Sequence, residues 1–166
     1  MHEVARMLME SALGRVDWPE ARVLDVGSLY VNGSYRKTIV DRGWEYIGLD
    51  VVAGRNVDVV APEFDYPFED GAFDVVISGS TMEHVTAIWR WVPELVRVLR
   101  PGGLLAIVTH MAWGIHPWPL DCWRILPDGM RYLFDLTEAL EDYEILTVGE
   151  KDIAGSALKG GGRECS

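Results

Sequence analysis

The sequence predicts an α/β protein built on a doubly wound, mostly parallel sheet. Three observations carry that prediction. Short apolar runs alternate with stretches whose apolar residues recur at helical spacing, the pattern of a parallel sheet covered on both faces. The first run, "RVLDVG", ends in a glycine at position 27, and the next, "EYIGLDV", carries an acid at position 50. The 166 residues are enough for one domain with a sizeable core.

Each element follows from its residues. The N-terminal stretch "MHEVARMLMESALGRVDWPE" places Val4, Met7, Leu8 and Leu13 at helical spacing. It also carries Glu3 and Glu10 and lacks an unbroken apolar run, so it reads as a surface helix and not as a signal peptide. "GSYRKTIVDRG" predicts a helix capped by Ser34 and stopped by Gly43. "EYIGLDV", "NVDVVA" and "FDVVIS" predict the second, third and fourth strands. "TAIWRWVPELVRVLR" puts Ile88, Val92, Leu95 and Leu99 on one stripe, with a kink or a fresh start expected at Pro93. "PGG" is expected to end that helix before a fifth strand, "LLAIVTH". A Trp/Pro-rich stretch over 111–126 precedes a helix at 127–135 and a late strand, "YEILTVG". The ending "KDIAGSALKGGGRECS" offers no clear place for a further antiparallel strand, so the expected architecture is compact and can lack one. One domain is expected over 1–158, with 159–166 a flexible tail.

Composition narrows the partners. A net charge of −11 disfavours nucleic acid, whose phosphates need a lysine and arginine surface. No stretch approaches the roughly 20 apolar residues of a membrane span, so no membrane partner is expected. The two cysteines, Cys122 and Cys165, form neither a disulfide framework nor a metal spacing. A reducing, cytoplasmic setting suits them.

In a doubly wound sheet, ligands bind beyond the carboxyl ends of the strands, where strand order reverses. Gly27 lets the backbone approach a ligand there. Asp50 lies close to the ~20 residues further on at which an acid meets ribose hydroxyls. A nucleoside is therefore expected. A pyrophosphate is not, because Leu29, Tyr30 and Val31 put bulk where a dinucleotide needs a glycine-rich turn. A nucleoside with a short, uncharged or zwitterionic tail, such as S-adenosylmethionine, fits the loop better.

The segments "RVLDVGS", "YIGLDV", "FDVVISGSTMEHV" and "RVLRPGGLLAIVTH" resemble the successive motifs of class I S-adenosylmethionine-dependent methyltransferases, in the methyltransferase type 11 group. The likeness covers roughly residues 20–110. It implies a Rossmann-like class I methyltransferase fold and the cofactor S-adenosyl-L-methionine. By position, Asp25 and Gly27 would shape the loop under the methionine part, with Ser28 and Asn32 lining it. Asp50 would hold the ribose hydroxyls, and Val51 would pack on the adenine face. Where the family often has an acid for the adenine amino group, this chain has Pro62, with Glu63 or Asp65 as substitutes. Ser78 and Gly79 would face the sulfonium and its methyl group.

The acceptor side is expected in "HMAWGIHPWPLDCWR", where His110, His116, Asp121 and Arg124 alternate with tryptophans. His116, oriented by Asp121, is a candidate base, and His84 is a second. A bland alternative is a proline-braced loop whose tryptophans cover the core and whose Asp121–Arg124 pair is structural. No metal is expected, since His110, His116 and Asp121 match no strong ligand spacing. The expected activity is methyl transfer to a small molecule or glycan, with O-methylation ahead of N-methylation. "SGSTMEH" lacks the Asn/Asp-Pro-Pro-aromatic motif of many nucleic-acid amino-methyltransferases. The lean chain leaves the cleft open or completed by a second copy, so a homodimer is an open expectation. Two rivals remain: a non-catalytic cofactor-binding module or partner subunit of another methyltransferase, and a nicotinamide oxidoreductase.

Overall fold

A computed structural model describes residues 3–161. Its elements in chain order are α1 (Glu3–Leu13), β1 (Arg22–Val26), α2 (Arg36–Val40), β2 (Glu45–Asp50), β3 (Val59–Val60) and β4 (Phe73–Gly79). A 3₁₀ turn (Met82–His84) follows, then α3 (Ile88–Val98), β5 (Leu99–His110), α4 (Pro127–Asp135), β6 (Leu140–Val148) and β7 (Asp152–Lys159). The seven strands form one sheet in the order β3-β2-β1-β4-β5-β7-β6. β1 to β5 pair in parallel, and β7 runs antiparallel to both β5 and β6.

Strand alternation divides the core in two. Leu24, Val76, Leu105 and Ile107 join Trp91, Val92 and Leu95 of α3 and Met130 and Phe134 of α4 on one face. Val23, Val75, Ile77, Ala106 and Val108 join Leu8, Met9 and Leu13 of α1 and Ile39 of α2 on the other. Successive strand residues point to opposite faces, so runs apolar at every position need helices on both sides. α1 buries Leu8 and Leu13 as expected, whereas Met7 lies half exposed outside the stripe. Among the described residues no helix is long and apolar enough to cross a membrane.

Local signals mostly hold. Tyr35 and not Ser34 occupies the capping position of α2. The Ser34 hydroxyl, one residue outside it, accepts the Arg36 amide at 3.0 Å, and Gly43 ends the following turn at φ +80°. α3 runs on through Pro93, which sits on its exposed face with Trp89 while the buried stripe continues beneath. The Pro-Gly-Gly segment does not precede β5 but lies inside it as an irregularity: Phe73 pairs with Leu99, and Val75 with Leu104.

The structure corrects the expectation that the last antiparallel strand can be missing. β7 is present, seated between β5 and β6. Its sequence, DIAGSALK, is rich in small residues and hides the strand because helices press on both sides. A Cβ at Gly155 would meet Met130 and Phe134 of α4 at 2.7 and 2.8 Å. Lys159, placed in the tail by the sequence reading, closes this strand, and its ammonium donates to the carbonyls of Val96 and Leu99 at 2.7 Å each. Residues 162–166 of the expected tail lie outside the described residues.

Candidate active site

The carboxyl ends of β1, β2 and β4 converge at the point where strand order reverses from β1 outward, the place where doubly wound sheets hold ligands. β1 delivers the chain into a turn at Gly27, whose φ of +80° suits a residue without a Cβ. The Gly27 and Ser28 amides both donate to the Leu49 carbonyl, at 2.9 and 3.1 Å, which pins the turn to β2. The side chain of Thr81, just after β4, packs directly on Gly27.

Asp50 closes β2 and stands beside that turn. Its Oδ2 accepts the Leu29 amide at 3.0 Å and its Oδ1 the Val52 amide at 3.2 Å. The carboxylate is thus aimed by backbone at both flanks and only partly buried, with acceptor capacity left over. Val51, next along, is 53% exposed, so an apolar side chain lies open beside the acid.

Asp25 lies beneath the loop, 3% exposed, and accepts the Tyr46 hydroxyl at 2.5 Å. Asn56 donates to the Tyr46 hydroxyl and to the Ser28 carbonyl, so one network joins β1, β2 and the glycine turn. Burial pushes the Asp25 carboxyl up to about 7, against the opposing effect of the Tyr46 hydrogen bond. The folded state therefore keeps a proton that the unfolded chain releases near pH 4, at about the ordinary aspartate value. Stability falls as pH rises across the interval from there to about 7. Asp25→Asn keeps an oxygen for Tyr46 and removes the titration. Its melting temperature is expected to exceed the wild type's at about pH 8, with the gap closing toward about pH 4. A gap that is flat with pH would refute the assignment.

Two other expected cofactor residues, Ser78 and Glu63, spend their side chains on partners within the protein. The Ser78 hydroxyl is buried and donates to the Val26 carbonyl at 2.8 Å, tying β4 to β1. Only its backbone is left for the crevice. The direction in which Gly79 would carry a side chain is occupied by the Tyr35 ring. Glu63 accepts from both the amide and the hydroxyl of Thr86, which commits it to the entry of α3. Asp65 is exposed in a left-handed turn, at φ +64°. Asn32 is exposed on the loop. Ser28 is 4% exposed, and its hydroxyl has no hydrogen-bond partner among the described residues.

Across the crevice the loop 111–126 folds onto the 3₁₀ turn. The Cys122 and Trp123 amides donate to the Glu83 carbonyl at 2.7 and 3.2 Å. His84 Nδ1 lies 2.6 Å from the Leu120 carbonyl, and the His84 and His116 rings meet edge to face at 5.0 Å. His116 Nδ1 lies 2.9 Å from the Gly114 carbonyl and 3.4 Å from Asp121 Oδ2. Asp121 forms a two-pronged pair with Arg124, at 2.6 and 2.8 Å, and also accepts the His116 amide. The Arg124 hydrogen bonds hold its carboxyl well below the usual range. Asp121 therefore braces the loop as a salt-bridged carboxylate, with the imidazole a third neighbour. Trp113, Ile115, Trp123 and Arg124 border a shallow depression with Asp121 and Cys122.

The sequence reading passed over a buried polar cluster behind this loop. Glu83 is 0% exposed, its Oε2 accepts the Thr109 hydroxyl at 2.8 Å, and its Oε1 lies 3.4 Å from His110 Nε2. His110 Nδ1 in turn lies 2.9 Å from Asp152 Oδ1 of β7. The available signal was Glu83 itself, an acid next to His84 after a strand end. Its own partners, Thr109 and His110, stand 26 and 27 residues away, and Asp152, which closes the cluster through His110, stands 69 away.

Comparisons with known proteins agree with this layout. A family model described as a methyltransferase domain matches residues 24–107, just over half of the chain. An uncharacterized methyltransferase of Mycobacterium sp. (strain KMS) is 37% identical over 103 residues, covering 55% of this chain and 39% of that protein. The chloroplastic tocopherol O-methyltransferase of Arabidopsis thaliana is 39% identical over 104 residues, 53% of this chain and 30% of its own. A Burkholderia thailandensis 1,6-didemethyltoxoflavin-N1-methyltransferase, solved with bound 1,6-didemethyltoxoflavin and S-adenosylhomocysteine, shares the fold. Its TM-score is 0.73 at 16% identity, covering 96% of this chain and 78% of that one. The chain spans about two fifths or less of the length of these curated relatives. With the glycine turn, the acid at the end of β2 and the strand order all in place, the chain belongs to the methyltransferase-domain family.

Proposed function

We propose that the chain transfers a methyl group from S-adenosylmethionine to a hydroxyl of a small molecule or glycan. The observation that carries this reading is the placement of Asp50, held by the Leu29 and Val52 amides beside the Gly27 turn at the switch point. The residues present fit the cofactor: a carboxylate for the ribose, an open valine for the adenine, and an orphaned buried hydroxyl at Ser28. Asp50 would grip the ribose hydroxyls, Val51 would cover the adenine, and Gly27, Ser28 and Asn32 would border the methionine part. When bound, the cofactor supplies a methyl group on a positively charged sulfur that is already a good leaving group.

The protein's share is alignment and proton handling. Holding acceptor and donor in line can remove about 7–11 kcal/mol of barrier in favourable cases. The exposed rings of Trp113 and Trp118 give a flat acceptor or sugar something to stack on. His116, with Nδ1 engaged by the Gly114 carbonyl, keeps Nε2 to accept the hydroxyl proton. Asp121 and His84 position it. His116→Ala is expected to leave cofactor affinity unchanged and to cut turnover by roughly 10²-fold or more. The tocopherol O-methyltransferase relative supports oxygen as the methylated atom.

A calorimetric titration with S-adenosylhomocysteine and, separately, NADH tests the cofactor. Binding of the first alone supports the reading, and binding of NADH alone overturns it in favour of a nicotinamide enzyme. A methyl-transfer screen with labelled cofactor against hydroxylated small molecules and glycans tests the acceptor. Cofactor binding with no transfer to any acceptor would favour a non-catalytic module.

A further inference from the structure

We propose that Glu83, His84 and His116 form a site for one divalent transition-metal ion, of the zinc or cobalt kind, on the acceptor side of the crevice. Each of the three offers one ligand atom, and those atoms lie within 4.8 Å of one another. The trio weighed from sequence was a different one. Asp121 is taken by Arg124 and His110 Nδ1 is engaged by Asp152, whereas Glu83 and His84 are delivered together by the 3₁₀ turn.

Two observations point to an ion and not merely to a polar cluster. Glu83 is fully buried, and its Oε2 accepts from Thr109, whereas its Oε1 makes no hydrogen bond among the described residues and meets only the longer 3.4 Å contact with His110 Nε2. A buried carboxylate oxygen normally has a donor or a cation. Secondly, both histidines present Nδ1 to a backbone carbonyl, of Leu120 at 2.6 Å and of Gly114 at 2.9 Å. A carbonyl can only accept, so Nδ1 carries the proton and the lone pair of each neutral ring sits on Nε2. Metal-binding histidines are commonly oriented in this way.

The donor set selects the ion class. Two imidazoles and one carboxylate suit zinc, cobalt, iron or manganese, whereas magnesium and calcium prefer oxygen ligands throughout. Ligands of a tetrahedral ion stand about 3.4 Å apart when bonds are about 2.1 Å, so the cluster must tighten modestly. The side chain of His116, 38% exposed on a loop, has room to turn. Three protein ligands leave at least one position open, as in metal sites that bind substrate.

The binding claim stands on this geometry, and its link to catalysis rests on the methyl-transfer reading above. An acceptor hydroxyl at the open position would lose its proton more readily than one in water. The proton would go to solvent, the oxygen would bond the methyl carbon, and the S–CH3 bond would break with its electron pair left on sulfur. His116 would then serve as a ligand in place of a base.

The test uses the full chain stripped with a chelator and titrated with Zn²⁺ by calorimetry and with Co²⁺ by visible absorption. One saturable ion per chain is expected, with His84→Ala and His116→Ala each weakening it at least tenfold and bleaching the cobalt spectrum. His116 sits on an exposed loop, so circular dichroism of that variant should match the wild type even where Glu83→Gln disturbs the buried cluster. Absence of saturable binding in the wild type overturns the proposal, as does binding undiminished in both histidine variants. S-adenosylhomocysteine titrated into the same stripped protein separates the two readings. Cofactor binding without metal binding sinks only the metal site, and metal binding without cofactor binding sinks only the methyl-transfer reading.

Discussion

Replacing Asp50 with alanine is expected to weaken S-adenosylhomocysteine binding about a hundredfold or more while the fold persists. The carboxylate already accepts the Leu29 and Val52 amides and so cannot turn away from the crevice. Its remaining acceptor positions would meet two ribose hydroxyls. Hydrogen bonds to a charged partner contribute about 1.5–3 kcal/mol each, so losing two costs about 3 kcal/mol or more, which is about two powers of ten in affinity. The Leu29 amide would also lose its acceptor, and the glycine turn would loosen. Calorimetry on Asp50→Ala, Asp50→Asn and His116→Ala checks this. The asparagine variant should fall between wild type and alanine, because it keeps one oxygen but no charge. Equal losses in the Asp50 and His116 variants would show that the cofactor and acceptor sides have been misassigned.

Gly27→Ala should damage both stability and cofactor binding. At φ +80° any side chain is strained, by about 1–2 kcal/mol. The added Cβ would also fall 2.0 Å from the Thr81 hydroxyl oxygen and 2.7 Å from its Cβ. Overpacking of this kind adds about 1–3 kcal/mol. The turn cannot slide away, because the Gly27 and Ser28 amides are both held by the Leu49 carbonyl. For a chain of this size each kcal/mol shifts the melting temperature by about 2–4 °C, so a drop of roughly 5–15 °C is expected. Thr81→Gly in the same background removes the collision but not the backbone strain, and should restore part of the loss. A Gly27→Ala protein with wild-type melting and wild-type cofactor affinity would refute this account of the turn.

Much of the architecture was legible because the physical demand on each segment is local. A strand covered on both faces needs consecutive apolar residues, and Val23-Leu24 of β1, Val75-Val76-Ile77 of β4 and Leu104 to Val108 of β5 supply them. The pairing of Gly27 with Asp50 was readable for a similar reason: the turn needs a residue tolerant of positive φ, and the acid must end the next strand. β7 was not readable. Its Ala-Gly-Ser run meets no propensity rule for strands, and only the pressure of α1 and α4 on either side explains why small residues stand there. That α3 runs on through Pro93 with no fresh start has a related reason. Pro93 costs one helical hydrogen bond, but it lies on the exposed face while the opposite face is buried in the core.

Within the site, the sequence by itself determined which residue types stand at strand ends: the glycine, the acid after β2, and the histidines and tryptophans after β4 and β5. Tertiary structure alone decided what each one does. It sent the Ser78 hydroxyl to Val26, committed Glu63 to Thr86 and gave Asp121 to Arg124. It also brought His116 against a turn 32 residues earlier in the chain, where Glu83 waits with a buried oxygen. The physical reason is range. Strand and turn preferences are settled among near neighbours along the chain, whereas a hydrogen-bond partner or a metal ligand is settled by whatever the finished sheet and its loops carry within about 3 Å.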